Sequence, residues 1–275
     1  MARGATAGSV HDALAAATDA LRAAGVDEAR FEAEVLLEHA TGWDRAKLAA
    51  DAEAKVPAGP GRRFGEMVRR RLRREPVAYI LGEKWFRNIR LAVDPRVLIP
   101  RPETELLVDL ALELRPASVL DVGTGSGAIA LAIADEMPEC EVTATDTSAP
   151  ALEVARASAE RLGLSERVRF VEGSVPEGEP FDLTVANLPY IAEPDWPSLQ
   201  PEVTQWEPRE ALLAGPDGLD AIRAVIPQVR AGAVALEVGE GQAEAVADLL
   251  GKAGFGSIET RRDLAGIERV VWGRR

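Results

Sequence analysis

The chain is poor in several residue types, and each shortage removes a class of explanation. One cysteine, Cys140, has no partner for an internal disulfide, and two histidines, His11 and His39, are too few for a histidine-rich metal site. No metal is expected. No apolar run approaches the roughly 20 residues of a membrane-spanning helix, and Met1 to Val10 lacks the apolar stretch of a secretion signal. A cytoplasmic protein without membrane contact is therefore the expectation. Positive charge is also short: the formal net charge is −13. That balance opposes nonspecific attraction to phosphate backbones, so stable nucleic-acid binding is not expected. One local exception is the run Arg62, Arg63, Arg69, Arg70, Arg71, Arg73 and Arg74, read here as a solvated helix face rather than a docking surface for RNA or an acidic partner.

What remains is a chain of 275 residues, 47% hydrophobic, which is enough for one large domain and one small one. Residues 10 to 75 have helical periodicity, with Leu14, Leu21, Val26, Phe31, Val35, Leu36 and Leu48 set among Ala, Glu and Arg. We assign 1–75 to an all-helical domain. Aromatic and β-branched residues from Tyr79 to Val97, arranged around Asn88, predict a hairpin linker within 76–100. After Pro100 and Pro102, a helix is expected from Glu103 to Leu114. From Ser118 onward, strand-like runs alternate with amphipathic stretches, the pattern of an α/β domain with a mostly parallel sheet, assigned to 101–275. Strands are predicted near 118–122, 141–146, 167–171, 181–186, 232–238, 256–261 and 268–272, and helices near 127–136, 149–162, 217–230 and 241–253. The last two strands have no helix between them and are expected to pair antiparallel. Prolines 194, 197, 201, 208 and 216 predict an irregular loop over the site.

Two motifs carry chemistry. Asn187-Leu188-Pro189-Tyr190 follows the strand-like run Phe181 to Ala186. An amide or aromatic amine delocalises its nitrogen lone pair, so an enzyme alkylating it must hold both N–H bonds and stabilise the developing charge. The Asn187 side-chain oxygen and the Leu188 carbonyl are suitable acceptors, with Pro189 and Tyr190 shaping the slot. An ordinary Asn-X-Pro turn is the alternative. Upstream, Val119 to Val122 leads into Gly123-Thr124-Gly125-Ser126-Gly127 and then a helical run. These glycines permit a tight turn and close approach of a ligand to a helix N-terminus, and Asp146 follows at the end of the next strand, where it can accept from ribose hydroxyls. The same spacing suits a dinucleotide. Asp121 before the first glycine and the Asn187 tetrapeptide favour S-adenosylmethionine instead, and hence a methyltransferase.

Several blocks resemble the HemK/PrmC family, the glutamine N5-methyltransferases of peptide chain release factors. They are Glu75-Pro76-Val77-Ala78-Tyr79-Ile80-Leu81-Gly82, Leu98-Ile99-Pro100-Arg101-Pro102-Glu103-Thr104-Glu105, Asp121 to Ala128, Trp206-Glu207-Pro208 with Ala211-Leu212, Leu236-Glu237-Val238-Gly239, and Arg262-Asp263 with Glu268-Arg269-Val270. The resemblance spans nearly the whole chain. It implies a helical N-terminal domain that recognises the release factor, a hairpin linker, and a Rossmann-like class I methyltransferase domain whose seven-stranded sheet has its last strand antiparallel. The implied substrate is the glutamine of the release factor's Gly-Gly-Gln loop. Asp121, Gly123, Thr124, Gly125, Ser126, Gly127, Asp146, Ser174, Val175 and Asn187 are implied to bind S-adenosyl-L-methionine. Asn187, Leu188, Pro189 and Tyr190, with Arg101 and Glu103, are implied to hold the glutamine. Two positions depart from the family pattern: Leu188 where a proline is usual, and Ser174 in a region where the family commonly has an aspartate. Because Asn-Leu-Pro-Tyr also occurs in rRNA adenine dimethyltransferases, N6-adenine methylation of RNA or DNA stands as the alternative.

Overall fold

The computed structural model describes residues 8–178 and 180–275, so part of the N-terminal stretch read above for a secretion signal, residues 1–7, lies outside them. Internal contacts divide the chain into two units, Met1–Gly82 and Glu83–Arg275. The stretch 76–100, expected as one linker, is shared between them.

The first unit is helical: α1 (Val10–Ala23), α2 (Ala29–Thr41), α3 (Arg45–Ala50), α4 (Ala58–Arg71) and α5 (Val77–Leu81). Ser9 starts α1 with a reciprocal cap, accepting from the Asp12 N–H at 3.1 Å while its own N–H donates to Asp12 Oδ2 at 3.2 Å. Leu14, Leu21, Leu36, Leu37, Leu48 and Phe64 fill the core. Phe31 does not join them, being 51% exposed. The buried stripe of α2 is Ala29, Ala33, Leu36, Leu37 and Ala40, and alanines conceal that stripe from a reading based on large residues.

The arginine run is only partly the solvated face expected: Arg62, Arg63, Arg69 and Arg73 are exposed, whereas Arg70, Arg71 and Arg74 turn inward. Arg71 is buried and bonds Glu32 at 2.5 Å, and Arg70 forks onto Glu75 at 2.5 and 2.8 Å while also donating to the Tyr79 and Ile80 carbonyls. Arg63 donates to the Ala40 carbonyl, and Arg74 to those of Ala24 and Gly25. A planar guanidinium has several fixed donors, which suits it to closing helix ends and carbonyls that a lysine would leave unpaired. Arg63, Arg70, Arg71 and Arg74 therefore staple the helical unit internally, while the rest of the run faces outward.

The second unit opens with the hairpin β1 (Glu83–Phe86) and β2 (Ile89–Ala92). Its turn residue Arg87 has φ of 49°. The Arg87 side chain bonds Glu136 and Asp109, and its N–H donates to Glu105. There follow α6 (Glu105–Leu114), β3 (Ser118–Val122), α7 (Ala128–Glu136), β4 (Glu141–Asp146), α8 (Ala149–Leu162), β5 (Val168–Glu172), β6 (Phe181–Ala186), α9 (Pro201–Trp206), α10 (Asp220–Val225), β7 (Ala231–Glu237), α11 (Ala243–Lys252), β8 (Gly256–Arg262) and β9 (Glu268–Arg274). The seven-stranded sheet has the order β5-β4-β3-β6-β7-β9-β8. Its first five strands are parallel, and β9 inserts antiparallel between β7 and β8.

The hairpin, α6 and α7 supply one apolar layer with Phe86, Leu91, Leu107 and Leu131, while α10 and α11 supply the other with Ile222, Val246 and Leu250. Burying each such side chain contributes about 1.5–3 kcal/mol, before the cost of ordering the chain. The helix expected over 217–230 is shorter, because the chain tightens into a 3-10 turn at Ile226–Gln228 around Pro227. Among the described residues, no helix is long and apolar enough to cross a membrane.

Candidate active site

β3 and β6 are neighbours, yet the chain leaves β3 toward β4 on the other side. A parallel sheet opens a crevice at the carboxyl ends of strands where its order reverses in this way. Val122 is paired with Ala186, so Gly123 and Asn187 emerge side by side. A cleft of about 320 Å³ lies there, within the roughly 300–1,000 Å³ range of small-molecule sites.

Its floor is the glycine loop. The Gly123 and Thr124 N–H groups both donate to the Thr145 carbonyl at 2.9 Å. Asp146 accepts the Gly125 N–H at 2.9 Å on one carboxylate oxygen and the Ser148 N–H at 2.8 Å on the other. Each oxygen retains a lone pair for a ligand. The three glycines have φ of 73°, 56° and 85°, conformations that side chains resist. They differ in what surrounds them. A Cβ on Gly125 meets nothing within 4 Å, whereas one on Gly127 lies 2.8 Å from Leu131 Cδ1 and 3.2 Å from Ala155 Cβ. Gly125 thus borders open space, and Gly127 leaves room for the Leu131 side chain of α7 and for Ala155 of α8.

Asp121 is fully buried beneath the loop. Its Oδ2 accepts from Thr124 Oγ1 at 2.6 Å and the Ala130 N–H at 3.2 Å, while Oδ1 has no partner. Burial pushes its pKa up to about 7 against those hydrogen bonds. Gly123, Thr124, Gly125, Ser126, Asp146, Ser174 and Asn187 line the cleft, as do Leu188 and Pro189. Asp121, Gly127 and Val175 are not among its lining residues; Val175 packs against the α10–α11 layer.

A recess of about 30 Å³ adjoins the cleft, lined by Leu98, Arg101, Asn187, Leu188, Tyr190, Ile191, Ala211 and Leu212. Glu103 borders neither space. Leu188 is buried, with its Cδ2 3.2 Å from the point where a Gly123 Cβ would sit. Leucine at this position therefore adds packing beneath the glycine loop. Asn187 Nδ2 donates to Thr104 Oγ1 at 3.0 Å, and Tyr190 Oη donates to Glu237 Oε1 at 3.3 Å. Tyr190 is fixed at its backbone too, since Gln242 Nε2 donates to its carbonyl at 2.9 Å. Burial, followed by the nearby Glu237 charge, raises the Tyr190 pKa and keeps the phenol protonated. Glu237 is almost fully buried, and burial pushes its pKa up to about 7 although the Thr104 and Tyr190 hydroxyls favour the charged form.

Thr104, Glu207, Glu237 and Gln242 were absent from the sequence-derived site. Glu207 accepts the Ile99 N–H at 3.0 Å and the Arg101 guanidinium, tying the proline-rich 191–216 segment to the block that precedes α6. The 191–216 segment is more ordered than an irregular loop, containing α9 and two 3-10 turns. Three of these four residues stood in the family-like blocks, but nothing local in the sequence announces the contacts they make.

Comparisons with known proteins agree with this geometry. Residues 12–82 match the model of the PrmC N-terminal domain, and residues 119–206 match that of a methyltransferase domain. The release factor glutamine methyltransferase of Geobacter sulfurreducens is 42% identical over 260 residues, covering 91% of each chain, and that of Bordetella pertussis is 44% identical over 257 residues, covering 89% of this chain and 94% of its own. Among solved structures, the hMettl16 catalytic domain in complex with the MAT2A 3′UTR hairpin 6 superimposes with a TM-score of 0.56 at 15% identity, covering 67% of this chain and 75% of that one. This last likeness concerns the fold alone. With identity above 40% over nearly the full length of both relatives, the chain belongs to the release factor glutamine methyltransferase family.

Proposed function

We propose that this protein transfers a methyl group from S-adenosyl-L-methionine to the side-chain nitrogen, N5, of the glutamine in the Gly-Gly-Gln loop of peptide chain release factors. The observation that carries the reading is the Val122–Ala186 register, which sets the glycine-loop cleft beside Asn187 and its recess. Family membership supports the glutamine substrate over the adenine alternative. Arg70 and Arg71, paired with Glu75 and Glu32, are not available to the phosphate track which that alternative needs.

The cleft suits the cofactor on three counts. Asp146 keeps acceptor capacity for ribose hydroxyls, Gly125 borders free space, and Ser174 contributes a hydroxyl where the family's aspartate is missing. The unpartnered Oδ1 of Asp121 is a further polar group directly beneath the loop. When bound, the cofactor supplies an electrophilic methyl group on a sulfonium.

The chain's own residues then have two tasks. Asn187 Oδ1 and the Leu188 carbonyl accept the two N–H bonds of the substrate amide and stabilise positive charge as it builds on nitrogen. Leu98, Leu188, Leu212 and Tyr190 exclude water around it. No strong base is required, because the alkylated amide nitrogen is a strong acid and gives up its proton to solvent as the product leaves the recess. The helical unit serves release-factor recognition, and a cytoplasmic location follows from that substrate. The test is transfer of a labelled methyl group to a release factor and to its Gly-Gly-Gln Gln→Ala variant. Label is expected on the first alone; equal labelling of both sinks the glutamine assignment.

A further inference from the structure

Residues 187–190 belong to no helix or strand. No ladder of backbone bonds fixes the slot they form, so its shape depends on groups that reach it from elsewhere in the chain.

Gln242 is such a group, and it makes three bonds at once. Its Nε2 donates to the Tyr190 carbonyl at 2.9 Å and to the Asp217 carbonyl at 3.2 Å, while its Oε1 accepts the Gly239 N–H at 2.8 Å. The partners decide the direction: a backbone carbonyl only accepts and a backbone N–H only donates, so this side-chain amide fits one way round. Gln242 thereby joins the segments that follow β6, precede α10 and follow β7. It stands immediately before α11, yet its side chain makes no capping bond to that helix and turns to the loops instead.

Two glycines make room for the fork. A Cβ on Gly218 would overlap the Tyr190 carbonyl oxygen and sit 2.7 Å from Gln242 Nε2, and one on Gly239 would sit 3.0 Å from Gln242 Oε1 and 3.3 Å from Tyr190 Cδ2. The Tyr190 ring therefore lies beside the same Gly239 backbone that Gln242 holds. Tyr190 lines the recess next to Asn187, whereas Gln242 lines neither the recess nor the cleft.

We propose that Gln242 is a positioning residue for methyl transfer: by donating to the Tyr190 carbonyl and accepting from Gly239, it fixes the wall of the recess against which the substrate amide is held. The role rests on the glutamine-slot reading of the proposed function. Gln242 itself touches neither reacting atom.

Gln242→Glu tests the role, because it keeps the shape and the acceptor for Gly239 but turns a carboxylate oxygen toward the Tyr190 and Asp217 carbonyls. At pH 8, kcat on a release factor is expected to fall about ten-fold, with KM within about three-fold. A protonated carboxyl can donate to Tyr190 again, so the ratio of variant to wild-type kcat is expected to rise at least about three-fold from pH 8 to pH 6. Calorimetry with S-adenosyl-L-homocysteine is expected to give an affinity within about three-fold of wild type. An unchanged kcat, a ratio independent of pH, or a loss of affinity as large as the loss of kcat overturns the proposal. Nuclear magnetic resonance of the wild-type Gln242 side-chain amide needs neither variant nor substrate. Its Nε2 protons are expected to exchange slowly, and exchange of both at the rate of a free amide overturns the proposal even if the glutamate variant does not fold. Slow exchange in a wild-type protein that leaves the release-factor glutamine unmethylated contradicts the substrate reading instead.

Discussion

Asp121 has one carboxylate oxygen bonded to Thr124 and Ala130 and another with no partner, in a fully buried place. Its pKa near 7 lies above the ordinary aspartate value of 3.8. The folded protein therefore binds a proton at this site that the unfolded chain has already lost between about pH 4 and 7. Stability from this group is fully present below the unfolded value and is lost as pH rises through the folded one. Asp121→Asn removes that titration. Thermal melts of wild type and variant should favour the variant progressively from pH 5 to pH 8, by at least about 2 °C in their difference. A difference that is constant across this range contradicts a raised Asp121. At Asn187, replacement by Ala removes a transition-state acceptor, so kcat should fall about a hundred-fold or more while thermal melts show the fold retained. Near-normal transfer by that variant refutes the clamp.

At the scale of elements, Gly125 and Gly127 make a matched pair. Both have positive φ, which costs a non-glycine residue about 1 kcal/mol or more. Only Gly127 also faces a clash, at Leu131 and Ala155. Gly127→Ala is expected to destabilise by at least about 2 kcal/mol in urea unfolding, because the added methyl group displaces the Leu131 side chain and presses on Ala155. Gly125→Ala should cost about 1 kcal/mol in stability and show its larger effect in cofactor binding. Equal stability losses in the two variants contradict this division.

The order strand, glycine turn and helix was legible in the sequence because it is local, and so were Asp146 and Asn187, each at the end of a strand-like run. The contacts around them were not. Thr104 reaches Asn187 across 83 positions and Arg101 reaches Glu207 across 106, and no local pattern encodes such pairings. The α2 stripe was missed for a different reason: alanines build it, and an exposed Phe31 drew the reading to the wrong face.

For the whole molecule, every residue lining the cleft falls between Arg96 and Val225, within the second unit. A fragment of residues 83–275 that remains folded should bind cofactor with an affinity within about three-fold of the full chain. Its KM for a release factor should rise at least about ten-fold, since it lacks the helical unit assigned to recognition. Unchanged KM contradicts that assignment. The parallel sheet and antiparallel β9 were readable from alternating patterns and from the missing helix between the last two strands. The inward turn of Arg70, Arg71 and Arg74 within the arginine run was not, because a charge run reads alike whether its partners are water or buried carbonyls and carboxylates.

The central claim is most directly tested by tandem mass spectrometry of a release factor after incubation with this protein and S-adenosyl-L-methionine. One added methyl group on the glutamine of the Gly-Gly-Gln peptide is the predicted result. A methyl group on any other residue, or an unmodified release factor beside methylated RNA, contradicts the account.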